Sequence, residues 1–151
     1  MYSLIFIKKN YCGEYALNNV YNYISNNCKK EYQGYVNISA YPVIEMEKLK
    51  RQYNETGDSQ LIHFIVLFGR KYGFTAEMAY SFALKVVSEM EQYQLYYGLH
   101  TDTQCPHVHF MVNSVAMNGE RIDRAALENY VRSVCEAVKV KVQNNSHILY
   151  H

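Results

Sequence analysis

Tryptophan is absent from the 151 residues, and chain breakers are scarce, with two prolines and seven glycines. With no internal repeat and no low-complexity run, nothing marks a linker or a second domain, so one domain over residues 1–151 is expected. The four cysteines, Cys12, Cys28, Cys105 and Cys135, form no C-x-x-C pair. That excludes a disulfide scaffold and the usual zinc and redox motifs, and implies reduced thiols in a cytoplasmic protein. Charge of one sign is not in excess either: fifteen Lys and Arg against fourteen Asp and Glu leave +1. A nucleic-acid partner would therefore be held by local arrangement of charge and not drawn from afar. Apolar runs such as Phe64 to Leu67 fall far short of the roughly 20 residues that cross a bilayer, and no basic segment followed by an apolar block opens the chain. Neither a membrane span nor a secretory signal is expected.

What the chain does have is a 49% hydrophobic composition, enough for a core, and sixteen tyrosines. A phenol can stack on a base, donate a hydrogen bond or act as a nucleophile, although most of the sixteen are expected to be amphipathic surface packing. Alternation from Tyr2 to Lys8 reads as a strand. Gly13 and Glu14 open a helix with Ala16, Leu17, Val20 and Ile24 on one stripe, ending near Asn26 and Asn27. An extended piece at Tyr35 to Ile38 precedes a helix that starts at Pro42 and stops at Gly57. Leu61 to Phe68 reads as a central strand, and Thr75 caps a helix running to about Gln92. Strands near Leu95 to Thr101 and His107 to Val115 precede a helix from about Arg124 to Val140, capped by Asp123. The order predicts an α+β fold, a largely antiparallel central sheet covered by helices.

The densest chemistry lies in Leu99-His100-Thr101-Asp102-Thr103-Gln104-Cys105-Pro106-His107-Val108-His109-Phe110-Met111-Val112-Asn113. Alternation on a strand puts His107, His109 and Asn113 on one face and Val108, Phe110 and Val112 on the other. If residues 103–106 form the connection, Asp102 faces His107 and His100 faces His109. Three imidazoles then converge on one point from the exposed side of the sheet, the pattern of a catalytic metal site with an open position. Asp102 would orient one ring from behind. His63 reads as a structural histidine, with a substrate contact as its alternative.

This hairpin resembles the third motif of the plasmid mobilization relaxases, a branch of the HUH endonucleases named for two histidines flanking a hydrophobic residue, here His107-Val108-His109. The family pattern looks like H-x-D-T, a short loop, then H-x-H-x-x-x-N, matched by His100, Asp102, Thr103, His107, His109 and Asn113. Upstream, Ala16-Leu17-Asn18-Asn19-Val20-Tyr21-Asn22-Tyr23-Ile24, with Lys29 beyond, is similar to the motif that bears the nucleophilic tyrosine. A Ser-Phe pair common in the family is Leu67-Phe68 here.

The resemblance implies an HUH relaxase-like fold and metal-dependent, site- and strand-specific nicking of single-stranded DNA at an origin of transfer, with rejoining. Tyr23 would attack the phosphodiester and leave a 5′-phosphotyrosyl adduct, with Asp102 orienting a ligand ring or taking the phenolic proton. His100, His107 and His109 would bind Mn2+ or Mg2+, although an imidazole set by itself points to a transition metal such as Zn2+ or Ni2+. Lys29, Lys30, Arg70, Lys71 and Asn113 are the expected DNA contacts, and accessory mobilization proteins the expected partners. The resemblance further implies a minimal domain without helicase, primase or oligomerisation regions. Alternatives are Tyr21 as nucleophile, Tyr130 in the manner of rolling-circle initiators and single-strand transposases, an inactive relative that only grips single-stranded DNA, and a metal-dependent hydrolase of small substrates.

Overall fold

Alternating apolar side chains write the sheet into the sequence, and a computed structural model of the chain, describing residues 2–69 and 73–149 with side chains to residue 143, shows how it assembles. The order of elements is β1 (Tyr2–Phe6), α1 (Ala16–Asn26), β2 (Gln33–Val36), α2 (Pro42–Gln52), β3 (Leu61–Phe68), α3 (Ala76–Val87), β4 (Leu95–His100), β5 (His107–Asn113) and α4 (Arg124–Leu149), with a 3-10 turn at Lys30–Tyr32. The sheet runs β1-β3-β5-β4-β2 with every pair antiparallel, as the α+β reading expected. The middle strand is β5; β3, expected at the centre, lies beside it.

Period-two alternation divides the apolar residues between two layers. Phe64, Val66, Val108, Phe110 and Val112 pack on one face against Phe82 and Val86 of α3 and Leu127 and Val131 of α4. Leu61, Tyr96 and Met111 pack on the other against Leu17, Val20 and Ile24 of α1 and Met46 of α2. Fully burying each such side chain contributes about 1.5–3 kcal/mol. The histidine face is therefore roofed by α1 and is not the open side that the sequence suggested. One residue permits this close roof. A Cβ on Gly98 would sit 2.9 Å from Ile24 Cγ2 and 3.1 Å from Cys28 Sγ, so only glycine lets α1 lie so near β4.

The helix starts follow their capping chemistry. Thr75 Oγ1 accepts the Met78 N–H, Asp123 Oδ2 accepts the Ala126 N–H, and Pro42 opens α2. Glu45 reaches back to accept N–H groups of Ser39, Ala40 and Tyr41, which hold its carboxyl at about 2, below the usual range. Two helix ends differ from expectation. Helix α3 stops at Val87 instead of near Gln92: the Asn37 side chain donates to the carbonyls of Glu91 and Tyr93, holding that segment in turns. Helix α4 runs on past Val140 to Leu149.

Candidate metal centre and its cleft

The β4–β5 register differs from the expected one. His100 pairs with His107, and His109 pairs with Gly98, so the connection is residues 101–106. Pro106 explains the longer loop: it has no N–H for a ladder bond to β4, and its carbonyl accepts the Phe68 N–H from β3. Asp102 consequently lies exposed in the connection and not opposite His107. Its charge reaches His100, but among the described residues it makes no hydrogen bond to an imidazole.

The shift leaves the three imidazoles together. Ring centroids lie 4.3 Å apart for His100 and His109, 5.1 Å for His107 and His109, and 5.3 Å for His100 and His107. One nitrogen from each lies within 4.8 Å of the others. Tetrahedral coordination with metal–nitrogen bonds of about 2.0–2.1 Å would draw these atoms to about 3.4 Å of one another, a modest closure of the rings.

Hydrogen bonds show which nitrogens are free. His100 Nε2–H donates to the Ile24 carbonyl at 2.9 Å, leaving Nδ1. That carbonyl is an unpaired acceptor in the last turn of α1. His107 Nδ1–H donates to the Cys105 carbonyl at 3.0 Å, leaving Nε2. His109 Nδ1 is bonded to His63 Nε2 at 2.8 Å, and its Nε2 is buried without a hydrogen-bond partner among the described residues. A wholly buried nitrogen with no partner, beside two other uncommitted imidazole nitrogens, fits a bound cation. Burial first, then the neighbouring histidines, pushes His109 down to about 2; His100 is also lowered, mainly by burial. Both are neutral at pH 7, as metal ligation requires.

His63 is thus a fourth member of the cluster. Its Nδ1 is bonded to the Tyr11 hydroxyl at 2.9 Å, giving a chain Tyr11–His63–His109. The proton positions in this chain decide its use. For His109 Nε2 to be a ligand, His109 Nδ1–H must donate to His63 Nε2, and His63 Nδ1–H to Tyr11. Tyr11 then turns its own O–H outward. A buried histidine in an otherwise apolar strand needs a polar partner, which was the one signal in the sequence pointing to this role.

Tyr23 projects from α1, about half exposed, with its ring centroid 5.3 Å from His109 and 5.6 Å from His100 in edge-on contacts. It borders a cleft of about 600 Å³ lined also by Tyr11, Asn19, His63, Ile65 and His109. Tyr21 lies aside, packed against Tyr96 at 4.9 Å. Tyr130 is on α4 across the sheet, where its hydroxyl donates to the Glu89 carbonyl.

Of the expected DNA contacts, Asn113 does not reach a surface. It is 0% exposed and donates through Nδ2 to the Met46 carbonyl and to Gln94 Oε1, tying α2 and the start of β4 to β5. Lys29 and Lys30 are exposed on the turn after α1, outside the cleft lining. Arg70 and Lys71 lie outside the described residues. No helix among the described residues is long and apolar enough to cross a membrane.

Compared with known families, residues 15–143 match the family model described as relaxase, MobA/VirD2-like, nuclease domain. No curated protein matches the chain.

Proposed function

The chain belongs to the MobA/VirD2-like relaxase nuclease family, and from that premise we propose that it cuts and rejoins single-stranded DNA at an origin of transfer with Tyr23 as nucleophile. The observation that carries this reading is the juxtaposition of an accessible phenol with three imidazoles whose free nitrogens converge. Phenols in water ionise near pH 10, so attack near neutrality needs a proton acceptor or a cation close by.

Tyr23 Oη forms a bond to phosphorus as the bond from phosphorus to the 3′-oxygen breaks. The phenolic proton is lost and the departing 3′-oxygen gains one, so the sum is a transesterification and the reverse attack by a 3′-hydroxyl rejoins a strand without ATP. His100 Nδ1, His107 Nε2 and His109 Nε2 would hold a divalent cation, which when bound would polarise the phosphate and offset charge gathering on its oxygens. Three imidazole nitrogens suit Mn2+, Zn2+ or Ni2+ better than Mg2+. The carbonyls of Ile24 and Cys105, together with His63, keep those rings aimed. The roof of α1 keeps water away from the inner side of His100 and His109, both 2% exposed or less. Asp102, exposed in the β4–β5 connection, adds a negative charge that favours a cation at His100. Lys29 and Lys30 are available to a strand leaving the C-terminal end of α1. A net charge of +1 supports reliance on accessory proteins for affinity at the origin.

The test is a denaturing gel of protein incubated with Mn2+ and 3′-labelled single-stranded oligonucleotides. A labelled band migrating with the protein is expected for the parent chain, for Tyr21→Phe and for Tyr130→Phe, and not for Tyr23→Phe. An undiminished band from Tyr23→Phe would overturn the assignment.

A further inference from the structure

The cleft at the histidines does not end at Tyr11. Residues 7–12 continue beyond β1 beside the start of β3, tied by the Ile7 N–H to the His63 carbonyl and by the Gln60 N–H to the Tyr11 carbonyl. Ile7, Lys9, Asn10 and Tyr11 in that segment line both the first cleft and a second one of about 580 Å³. The second cleft lies where β3 begins, β5 ends and α4 starts, and it is bordered by Lys8, Lys9, Arg121 and Arg124. In a chain whose net charge is only +1, this is a local concentration of cations. Against them stand two carboxylates: Asp123, which also lines the cleft and caps α4, and Glu55, which pairs with Arg121 at 2.6 Å. Lys8, Lys9 and Arg124 have no ion pair among the described residues.

A second observation is independent of charge. Ser114, on the lining of this cleft, is 3% exposed, and its Oγ is buried without a hydrogen-bond partner among the described residues. An unpartnered buried hydroxyl costs stability, about 1–3 kcal/mol, unless something comes to meet it. A donor hydroxyl at the base of a basic cleft matches the chemistry of a phosphodiester oxygen.

We propose that this second cleft is a phosphate subsite for the DNA strand, holding a phosphodiester away from the one under attack through Lys8, Lys9, Arg124 and the Ser114 hydroxyl. It rests on the reading that the chain handles single-stranded DNA, and it gives the strand a direction, from the histidines past Tyr11 to the start of α4. Held at two phosphates, the strand presents a fixed register to Tyr23.

The test uses the full chain and a fluorescein-labelled thymidine oligomer of about 20 nucleotides, with affinity read by anisotropy across a salt series. Each phosphate contact on a single strand adds about 0.7 to the salt slope, so Lys8→Gln with Arg124→Gln should lower the slope by about 1.4 and weaken binding at least about tenfold. Ser114→Ala should weaken binding several-fold with the slope unchanged, while its melting temperature stays level or rises. A role confined to folding would move it the opposite way. Lys85→Gln on α3, outside the lining of both clefts, should match the parent. If the parent binds and forms the covalent band but these variants bind as it does, the subsite is wrong and the nicking reading stands. If the parent neither binds the oligomer nor forms an adduct with any strand, both fall. Both exposed charge substitutions are neutral to the fold, so they decide the matter even if Ser114→Ala misfolds.

Discussion

Replacing His63 with leucine isolates the hydrogen-bond chain behind the candidate metal centre. Metal binding stabilises a fold by about 2.7 kcal/mol when the free ion stands at 100 times its dissociation constant. For a domain of this length that corresponds to a rise of about 5–11 °C in melting temperature. Loss of the group that orients a ligand histidine weakens metal binding about 10- to 100-fold. At the same Mn2+ concentration the stabilisation then falls to about 1.4 or 0.4 kcal/mol, a loss of roughly 3–9 °C from the metal-induced shift. The quantity to compare is the shift and not the melting temperature itself, because His63→Leu also strands the buried His109 Nδ1 at a cost of about 1–3 kcal/mol without metal. His63→Gln, whose carbonyl can accept from His109 Nδ1–H, should recover part of the shift. Thermal unfolding with and without Mn2+, backed by calorimetric titration, supplies both numbers. A full metal-induced shift in His63→Leu would refute the argument that this chain aims His109 at a cation.

Three other outcomes follow from the packing. Gly98→Ala should lower stability by about 1–3 kcal/mol as α1 is pushed from β4, and should cut the covalent DNA band although Tyr23 is intact; an unaltered band would show that the close approach is dispensable. Lys50 is buried, its ammonium makes no hydrogen bond among the described residues, and desolvation pulls its pKa down to about 8. The unfolded chain then holds more protons on this group between about pH 8 and 10.5, so stability should rise with pH there until tyrosines that burial keeps protonated in the fold begin to ionise in the unfolded chain. Lys50→Met should remove that rise and add on the order of 3 kcal/mol at pH 7 in urea unfolding, at about 1.4 kcal/mol per tenfold change in proton affinity. Glu45→Gln should weaken the cap of α2 by about 1 kcal/mol at pH 7. Because the folded carboxyl is depressed, its contribution is present above about pH 4.5 and lost as pH falls toward 2, so circular dichroism should show a shallower acid decline in the variant.

Local pattern made most of the elements legible, since apolar spacing, Thr75, Asp123 and Pro42 act within a few residues of the structure they set. The shared face of His107 and His109 was readable for the same reason, because alternation is a property of one strand. Pairing is not. The pairing of His100 with His107 depended on how Pro106 spends its carbonyl, a matter settled by β3 nearly 40 residues earlier. His63 could be seen as a histidine in an apolar strand, but its place behind His109 required knowing that β3 is the neighbour of β5. Asn113 matched the family pattern in position, yet its burial follows from α2 docking over the end of β5, which no spacing along β5 encodes.

Tyr23 and Ile24 are adjacent on one turn of α1, and the first would carry the attacking oxygen while the carbonyl of the second clamps His100. The would-be attacker and the clamp on His100 are thus carried on one helix, while the three imidazoles sit on β4 and β5. Heat or strain that slides this helix carries both together, so their mutual alignment outlasts small excursions. The backbone that carries Tyr23 therefore cannot shift without moving the clamp on His100, and the half-exposed phenol is left to move by side-chain rotation alone.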